Sequence, residues 1–321
     1  MNSADAARAV PSRRVGIDVG GTKAQAVVID RSGEVVETMQ RPTPRGDQSL
    51  DALIDVLVEL ADAVGHEGSL GVGVPGLVTR TGVLRAAPNL DGVADFAVAE
   101  LLSERFGSAV FVDNDATCAT VAEWRLGAGR GVDDMVLVTL GTGIGGGAVT
   151  HGAVLRGANG FAGEFGHMVV DPSGPLCPCG RRGCWERYAS GSGLAMLARE
   201  AATGHRLRDV VRHAGGDAQA VRGEHVQTAA RDGDPDALAV IDEFSRWVAL
   251  GLVNLTNALD PEMFVLGGGL AAGSDLYLEP IRRWFGELLY QPHLRPVPGI
   301  EFARWGPLAG AVGAALLPEL A

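Results

Sequence analysis

Two segments of the chain alternate apolar runs with glycine-rich breaks in the same order. RRVGIDVGGTKAQAVVID (13–30) and MVLVTLGTGIGGGAVTHG (135–152) each begin apolar, reach a Gly-Thr-containing break and become apolar again. This pattern predicts a strand, a tight turn and a second strand. Because the same unit recurs about 120 residues later, we expect two similar α/β domains rather than a solenoid.

The rest of the chain alternates helical and strand-like patterns. In the segment 235–259, Ile241, Phe244, Val248, Leu252 and Leu255 recur at steps of three and four, which predicts a long helix with one buried stripe. The other predicted elements are a helix over 49–65, a strand over 70–78, a strand, acidic loop and helix over 109–129, a strand running into three glycines over 263–270, and a C-terminal helix of small residues. The domain boundary is expected near residues 122–130.

Composition narrows the classes of protein. The 321 residues are 46% hydrophobic and 21% charged, with a net charge of -12, which is typical of a globular protein and argues against a nucleic-acid groove or an anionic membrane surface as partner. No apolar run reaches 18 residues, and the first 14 residues lack the apolar core of a signal peptide. We therefore expect a cytoplasmic protein with reduced thiols and a disordered lead over residues 1–12.

Both glycine-rich breaks are candidate phosphate loops. Gly20, Gly21 and Thr22 form the first, and Thr142 and Gly143 lie in the second. Glycine lets the backbone approach a ligand, and successive N–H groups make a concavity that binds anions. An ordinary tight turn is the alternative for either loop alone, whereas two such loops on two domains favour a polyphosphate such as ATP held across a cleft.

Two charged residues lie beside the first loop. Asp18 precedes it, and a carboxylate there is a candidate for holding Mg²⁺ directly or through water. Lys23 is the only lysine of the chain, and its charge could face a phosphate or lie there by chance.

The segment VDNDAT (112–117) places three polar residues between a strand and a helix. The ordinary interpretation is a helix cap. A kinase acting on an alcohol also needs a carboxylate that accepts the hydroxyl proton. Asp115 is the candidate base, with Asn114 as a neighbour that binds a hydroxyl.

Carboxylates also flank a cluster of cysteines. Glu164 and His167 precede it in GEFGH, and Glu186 follows it in CWE. Carboxylates and amides recognise sugars by hydrogen bonding to several hydroxyls, whereas a solvated face is the alternative for each glutamate alone.

The cluster itself has the composition of a metal site. Cys177, Cys179 and Cys184 lie within eight residues, His167 lies ten residues upstream, and Gly180 and Gly183 let the chain fold back. Three thiolates and one imidazole form a closed tetrahedral set that fits structural zinc; reduced spectator thiols or a disulfide are the alternatives. Cys118 lies apart and is expected to be buried.

The order of these motifs resembles the ROK family of bacterial sugar kinases and repressors, most closely its ATP-dependent glucokinases. DVGGTK, GVGVPG, DNDA, LGTGIGGG, GEFGHM, CPCGRRGCWE and LGGG carry the resemblance, from about residue 13 to 320. Only PNLDGV (88–93) departs from the usual Asn-Leu-Pro-Gly-Trp.

The resemblance implies a two-domain actin/hexokinase-like (ribonuclease H-like) α/β fold with the active site in the interdomain cleft. The small domain would comprise residues 13–122 with a C-terminal helix over about 305–321, and the large domain residues 123–304. The small domain would carry the first phosphate loop and the catalytic aspartate. The large domain would carry the zinc site, the second phosphate loop and an adenosine loop.

The resemblance also implies the roles of single residues. Asp115 would be the base, and Asn114, Asp115, Glu164, His167 and Glu186 would contact the sugar. His167, Cys177, Cys179 and Cys184 would bind zinc, so His167 would serve both sites. The nucleotide and Mg²⁺ would be surrounded by Asp18, Gly20, Gly21, Thr22, Lys23, Thr142 and Gly143, with Gly267, Gly268 and Gly269 near the adenosine.

The expected reaction converts ATP and D-glucose to glucose 6-phosphate and ADP, in a homodimer or homotetramer. Three alternatives stay open: a kinase for mannose, fructose or an N-acetylhexosamine, a kinase that uses inorganic polyphosphate, and a sugar-sensing regulator. The regulator is disfavoured by the acidic charge and by the dozen or so residues before Val15, and the polyphosphate donor by the cysteine cluster, which such relatives usually lack.

Overall fold

The computed structural model of the protein describes residues 13–45, 49–87, 93–203 and 207–321. The predicted lead over residues 1–12 and most of the divergent segment PNLDGV lie outside the described residues. Where the structure describes the chain, no helix combines the length and apolar character needed to cross a membrane.

The chain divides into two compact units. Unit 1 comprises the chain up to Ala122 together with Arg156–Phe161 and Leu308–Ala321, and unit 2 comprises Glu123–Leu155 and Ala162–Pro307. The expected cleft between the domains stays a prediction.

The first elements of the chain, all of which begin in unit 1, are β1 (Arg13–Val19), β2 (Lys23–Asp30), β3 (Val35–Pro42), α1 (Ser49–Ala63), β4 (Leu70–Val74), β5 (Leu77–Val78), β6 (Leu84–Ala86), α2 (Val98–Phe106), β7 (Val110–Asn114) and α3 (Asp115–Leu126). The elements of unit 2 are β8 (Met135–Leu140), β9 (Ile144–Thr150), β10 (Ala153–Val154), α4 (Glu186–Ala189), α5 (Gly191–Thr203), α6 (Arg208–His213), α7 (Gly223–Arg231), α8 (Pro235–Leu259), β11 (Met263–Gly267), α9 (Ser274–Leu288) and β12 (Gly299–Phe302). The chain returns to unit 1 with α10 (Ala309–Leu316).

Both units contain a five-stranded sheet of the same design. The strand order is β3-β2-β1-β4-β7 in unit 1 and β10-β9-β8-β11-β12 in unit 2. In each sheet the first three strands of the order are antiparallel neighbours, and the remaining pairs are parallel. The expectation of two similar α/β domains, each opening with a glycine hairpin, is confirmed.

Small residues let the last helix lie directly on the sheet of unit 1. A Cβ on Gly16 of β1 would lie 2.1 Å from the carbonyl oxygen of Ala311, and one on Gly71 of β4 would lie 1.7 Å from that of Ala314. These distances are too short for any side chain, so α10 packs backbone to backbone against the strand that ends near Asp18.

The long helix of unit 2 has the predicted bounds and stripe. Asp234 caps its N-terminus by accepting a hydrogen bond from the backbone N–H of Ala237, and Pro235 occupies the first turn, where its missing N–H costs nothing. All five predicted stripe residues are buried: Ile241, Phe244, Val248, Leu252 and Leu255.

The predicted domain bounds differ from the two units at an internal segment and at the start of the C-terminal part. Residues Arg156–Phe161, which the sequence placed in the large domain, belong to unit 1, and the C-terminal part of unit 1 begins at Leu308 rather than about residue 305. The cause is local packing: a Cβ on Gly160 would lie 2.5 Å from the carbonyl oxygen of Val78, and Arg156 bonds to the buried Asp113.

Candidate active site

The first glycine loop joins β1 to β2 and is held by its carbonyl oxygens. The N–H of Gly20 bonds to the carbonyl oxygen of Lys23 at 2.9 Å. The hydroxyl of Thr43 donates to the carbonyl of Gly20 at 2.7 Å, and the guanidinium of Arg45 donates to that of Gly21 at 2.9 Å. The backbone of the candidate phosphate loop is therefore fixed from one side. Thr22 and Lys23 are exposed.

The side chain of Asp18 lies beside this loop in closely packed surroundings. Oδ1 of its carboxylate is buried and has no hydrogen-bond partner among the described residues. A Cβ on Gly310, in the first turn of α10, would lie 2.5–2.8 Å from the carboxylate atoms. The pKa of Asp18 is raised to about 7, first by burial and then by the negative charge of Asp115, while Lys23 opposes the rise.

This environment fits a magnesium ligand. An oxygen that is buried without a donor is destabilised when it is charged, and a bound cation would compensate that charge. Mg²⁺ prefers carboxylate oxygens and keeps several waters. Asp18 thus offers an oxygen ligand for such an ion, and the ion would stabilise its buried negative charge.

The acidic stretch is not a loop, which corrects the expectation from the sequence. β7 extends to Asn114, and α3 begins at the next residue, Asp115. Oδ1 of Asn114 accepts the N–H of Thr117 at 3.0 Å, and its amide donates to the carbonyl of Gly76 at 3.1 Å. The capping interpretation therefore holds for Asn114, because a capping side chain replaces the helix's missing acceptors.

Asp115 occupies the first turn of α3. Its Oδ1 accepts the N–H of Ala116 at 2.8 Å, and the helix dipole stabilises negative charge at this position. The charge of Asp115 is also the second-largest cause of the raised pKa of Asp18. The candidate base and the candidate magnesium ligand therefore interact electrostatically within unit 1.

The second glycine loop joins β8 to β9 and is attached to the start of α5. The N–H of Gly191 bonds to the carbonyl of Gly141 at 2.8 Å, and the hydroxyl of Ser192 donates to the carbonyl of Thr142 at 2.8 Å. A Cβ on Gly143 would lie 2.7 Å from Oε2 of Glu186. This loop therefore contacts the first residues of α5 on one side and a predicted sugar-binding carboxylate on the other.

A cavity of about 870 Å³ in unit 2 adjoins this loop. Thr142 and Gly269 both line it, so the structure brings the second glycine loop and one of the predicted adenosine glycines together. Gly268 instead packs against Leu140, since its Cβ would lie 2.6–2.7 Å from that backbone, and Gly267 lies within β11.

Several residues lining this cavity are polar and were missed by sequence reasoning: Arg187, Ser192, Arg199, Arg222, Glu224 and Gln227. The three arginines come from three different segments, and nearly every basic residue of the chain is arginine, so no local signal distinguished them. Their charges make this cavity suited to an anionic ligand.

The predicted sugar-binding residues of unit 2 meet at His167. Its Nε2 lies 3.8 Å from Oε2 of Glu164, and its Nδ1 lies 3.8 Å from Oε1 of Glu186. Burial raises the pKa of Glu164, His167 lowers it, and Glu186 raises it further. The structure thus brings Glu164, His167 and Glu186 together as one polar group.

The four predicted metal ligands also converge. The ligand atoms of His167, Cys177, Cys179 and Cys184 all lie within 4.8 Å of one another. Sγ of Cys177 is 3.9 Å from Nδ1 of His167, and Sγ of Cys179 is 3.5 Å from Sγ of Cys184.

This arrangement fits a tetrahedral zinc site. Ligands about 2.3 Å from a zinc ion are separated by roughly 3.8 Å along the edges of the tetrahedron, which agrees with the two distances. All four cysteines lie among the described residues, and in the structure none of them forms a disulfide. The turn between the ligands depends on Gly180 and Gly183, whose φ angles are +87° and +66°.

One aromatic side chain attaches the cluster to the long helix. Trp185, between Cys184 and Glu186, is fully buried, and its indole N–H donates to the carbonyl of Trp247 in α8 at 2.8 Å. A Cβ on Gly251 of α8 would lie 1.9 Å from Cε2 of Trp185. The absence of a side chain at Gly251 therefore makes room for the ring that fixes Glu186 and Cys184.

Comparison with known proteins agrees with this set of motifs. The family model described as "ROK family" matches residues 14–319. The chain belongs to the ROK family. A ROK family glucokinase from Streptomyces griseus, solved in complex with glucose and AMPPNP, superimposes with a TM-score of 0.82 at 37% identity, covering 95% of this chain and 98% of that one.

Two curated relatives are similar over nearly their whole length. The glucokinase of Streptomyces coelicolor is 39% identical over 307 residues, covering 94% of this chain and 96% of the relative. The N-acetyl-D-glucosamine kinase of Pectobacterium atrosepticum is 36% identical over 317 residues, covering 94% and 97%. The predicted ROK membership and the two-domain actin/hexokinase-like fold class are thereby confirmed.

Proposed function

We propose that this protein is an ATP-dependent glucokinase that transfers the γ-phosphoryl group of ATP to the 6-hydroxyl of D-glucose, giving glucose 6-phosphate and ADP. The observation that carries the proposal is the similarity, across 94–95% of the chain, to curated glucokinases and to a ROK glucokinase in complex with glucose and AMPPNP. The residues of both units agree with this reaction.

Asp115 acts as the general base. Its carboxylate accepts the proton of the 6-hydroxyl as that oxygen attacks the γ-phosphorus, a contribution of roughly 10²–10⁴-fold in rate. The position at the start of α3 supports this role, because the helix dipole stabilises a negative charge there.

The sugar hydroxyls are bound by Asn114, Asp115, Glu164, His167 and Glu186. Within unit 2, His167 turns Nδ1 toward Cys177 and Nε2 toward Glu164. If Nδ1 binds the metal, Nε2 carries the proton and donates a hydrogen bond. The carboxylates of Glu164 and Glu186 accept hydrogen bonds from the hydroxyls, which fixes the orientation of the ring.

Two metal ions complete the site. Asp18 holds Mg²⁺, which supplies charge compensation to the donor phosphates. His167, Cys177, Cys179 and Cys184 hold a structural zinc, whose closed ligand set leaves no position for reactive water. The sugar-binding carboxylates Glu164 and Glu186 flank the zinc ligands along the chain, so this site shapes the sugar pocket and takes no part in the reaction.

The nucleotide binds partly in the cavity of unit 2. Its phosphates approach Thr142 and Gly143, and its adenosine lies toward Gly269, which lines the same cavity. Gly20, Gly21, Thr22 and Lys23 of unit 1 form the other phosphate loop. Arg187, Arg199 and Arg222 add positive charge to the cavity, which favours an anionic ligand over a neutral one.

Other candidate functions are less well supported. A kinase for an N-acetylhexosamine fits the relative from Pectobacterium at 36% identity, below the 39% of the Streptomyces coelicolor glucokinase. Mannose and fructose differ from glucose by the placement of single groups. Use of polyphosphate as the donor is disfavoured by the Cys3His cluster. The cytoplasmic location and the homodimer or homotetramer stay predictions.

Substitution of the base tests the proposal. We expect Asp115→Asn to lower kcat by roughly 10²–10⁴-fold while glucose still binds, because the amide keeps the shape of the carboxylate but does not accept the proton. Steady-state kinetics with isothermal titration of glucose measure both effects. A variant with the kcat of the wild type would refute the assignment of Asp115.

A further inference from the structure

The segment Arg156–Phe161 belongs to unit 1 although the chain on both sides of it belongs to unit 2. Gly160 has a φ of +101°, and its Cβ would lie 2.5 Å from the carbonyl oxygen of Val78 and 2.9 Å from the N atom of Arg80. Only a glycine combines this backbone conformation with so close an approach. The segment is therefore built to lie against unit 1.

Arg156, the first residue of this segment, donates a hydrogen bond to the buried carboxylate of Asp113. Nε of Arg156 donates to Oδ2 of Asp113 at 2.8 Å, and Asp113 is 7% exposed. Oδ1 of the same carboxylate accepts the backbone N–H of Asn114 at 2.9 Å. Each oxygen of Asp113 thus has its own donor, one from a distant segment and one from the next residue.

The energetics of this pair favour a fixed geometry. Asp113 is buried and Arg156 is partly buried, and removing the cation beside a buried carboxylate leaves an uncompensated charge, which is unfavourable. Asp113 therefore keeps its bond to Arg156, and the same carboxylate keeps hold of the Asn114 amide. The guanidinium of Arg156 therefore fixes the carboxylate of Asp113, and this carboxylate in turn fixes the backbone at the end of β7.

The backbone at the end of β7 determines the position of Asp115, the first residue of α3. β7 pairs in parallel with β4, with Asp113 opposite Gly73 and Asn114 opposite Val74. The side chain of Asn114 then bonds to the carbonyl of Gly76 and to the N–H of Thr117. Between the Arg156 bond and the Thr117 bond, the two residues before Asp115 are held from both sides.

We propose that Arg156 is a positioning residue for the catalytic carboxylate of Asp115, acting through Asp113 and the amide of Asn114. This inference rests on the proposed function, in which Asp115 is the base. A displacement of a reacting group by about 1 Å can lower a rate by roughly 10²-fold, so a loosened β7–α3 junction affects the chemical step more than the binding of ATP.

Kinetics of Arg156→Gln test the effect on catalysis. We expect kcat to fall by roughly 10- to 100-fold, while KM for ATP changes by less than about twofold. Arg156→Lys keeps the cation and should recover part of kcat, and it guards against a variant that does not fold. Arg105→Gln is the matched control, because Arg105 forms an exposed pair with Asp55 at 3.1 Å in the same unit.

A double-mutant cycle tests the route through Asp113. We expect Asp113→Asn and Arg156→Gln together to lower kcat no further than the more severe single substitution, since both remove one connection. Losses that multiply, or a kcat of Arg156→Gln equal to that of the Arg105→Gln control, would overturn the proposal.

Hydrogen exchange separates this inference from the proposed function. Arg156→Gln should speed exchange at the amides of Asn114 and Thr117 and leave the amides of unit 2 unchanged. If the wild type phosphorylates no hexose, the proposed function fails, and exchange at these two amides still decides whether Arg156 orders the junction. Unchanged exchange there would overturn the inference even in an active glucokinase.

Discussion

Sγ of Cys177 lies 3.0 Å from Oε1 of Glu186. The first atom belongs to the Cys3His cluster and the second to a carboxylate predicted to bind the sugar. Glu186 also follows the ligand Cys184 by only two residues. The proposed metal site and the predicted sugar-binding carboxylate are therefore adjacent in space and in sequence.

Removal of zinc should weaken sugar binding together with stability. Chelation under reducing conditions releases the turn that holds Cys184 and His167, so we expect a lower Tm and a higher KM for glucose, with a smaller change in KM for ATP. Metal analysis, thermal unfolding and steady-state kinetics on the same sample measure these effects. Addition of zinc to the chelated protein should restore both properties.

Two results would contradict this prediction for the Cys3His cluster. Protein purified without chelators that contains no zinc would refute the assignment of the metal. Chelated protein that keeps both the Tm and the KM for glucose would show that the cluster does not shape the sugar site.

Gly251 of α8 should tolerate no side chain. A Cβ there would lie 1.9 Å from Cε2 of Trp185, so Gly251→Ala displaces the ring that attaches the cluster to α8. We expect a loss of about 1–3 kcal/mol in the free energy of unfolding, typical of overpacking, and a higher KM for glucose. Chemical denaturation measures the first effect.

Gly286 of α9 is the matched control for this substitution. It lies in a helix, it is exposed, and no atom lies within 4 Å of a Cβ built on it. Gly286→Ala should stabilise the protein by about 0.5–1 kcal/mol, because alanine loses less conformational entropy in a helix. If both variants change stability in the same direction, the packing explanation for Gly251 is wrong.

Asp18 should make the free energy of unfolding depend on pH. Its pKa rises from 3.8 in the unfolded chain to about 7 in the folded protein, so the folded state binds more protons between these values. Stability without Mg²⁺ therefore falls as pH rises from about 4 to about 7. In EDTA, Asp18→Asn should be more stable than the wild type at pH 8, and this advantage should shrink toward pH 5.

Asp30 provides a control of opposite sign. The hydroxyl of Ser32 is the largest cause of its lowered pKa, and it is assisted by backbone N–H groups. Asp30→Asn should therefore not stabilise the protein at pH 8. Thermal unfolding of both variants at pH 5 and pH 8 decides the question, and an Asp18→Asn protein no more stable than the wild type at pH 8 would contradict the burial of this charge.

The sequence predicted those features that depend on neighbours along the chain. The glycine hairpins follow from apolar runs broken by Gly and Thr, and α8 follows from its stripe of buried residues. The metal ligands from His167 to Cys184 lie within 18 residues, so their types and spacing were sufficient to predict that they meet.

Features that depend on distant residues were not predicted. No local pattern indicates that Arg156 belongs to unit 1 and pairs with Asp113, 43 residues earlier. The gathering of Arg187, Arg199 and Arg222 around one cavity has the same cause, since arginine is frequent throughout the chain. The acidic stretch was expected to be a loop because its polar residues suggest one, whereas pairing with β4 extends β7 to Asn114.

Phosphorylation of D-glucose by ATP is best tested by measuring the release of ADP with a panel of hexoses. The panel contains D-glucose, mannose, fructose, N-acetylglucosamine and N-acetylmannosamine, each with ATP and with inorganic polyphosphate as the donor. We expect the highest kcat/KM for D-glucose with ATP, and glucose 6-phosphate as the product. A higher kcat/KM for another hexose, a preference for polyphosphate, or no phosphoryl transfer to any sugar would contradict it.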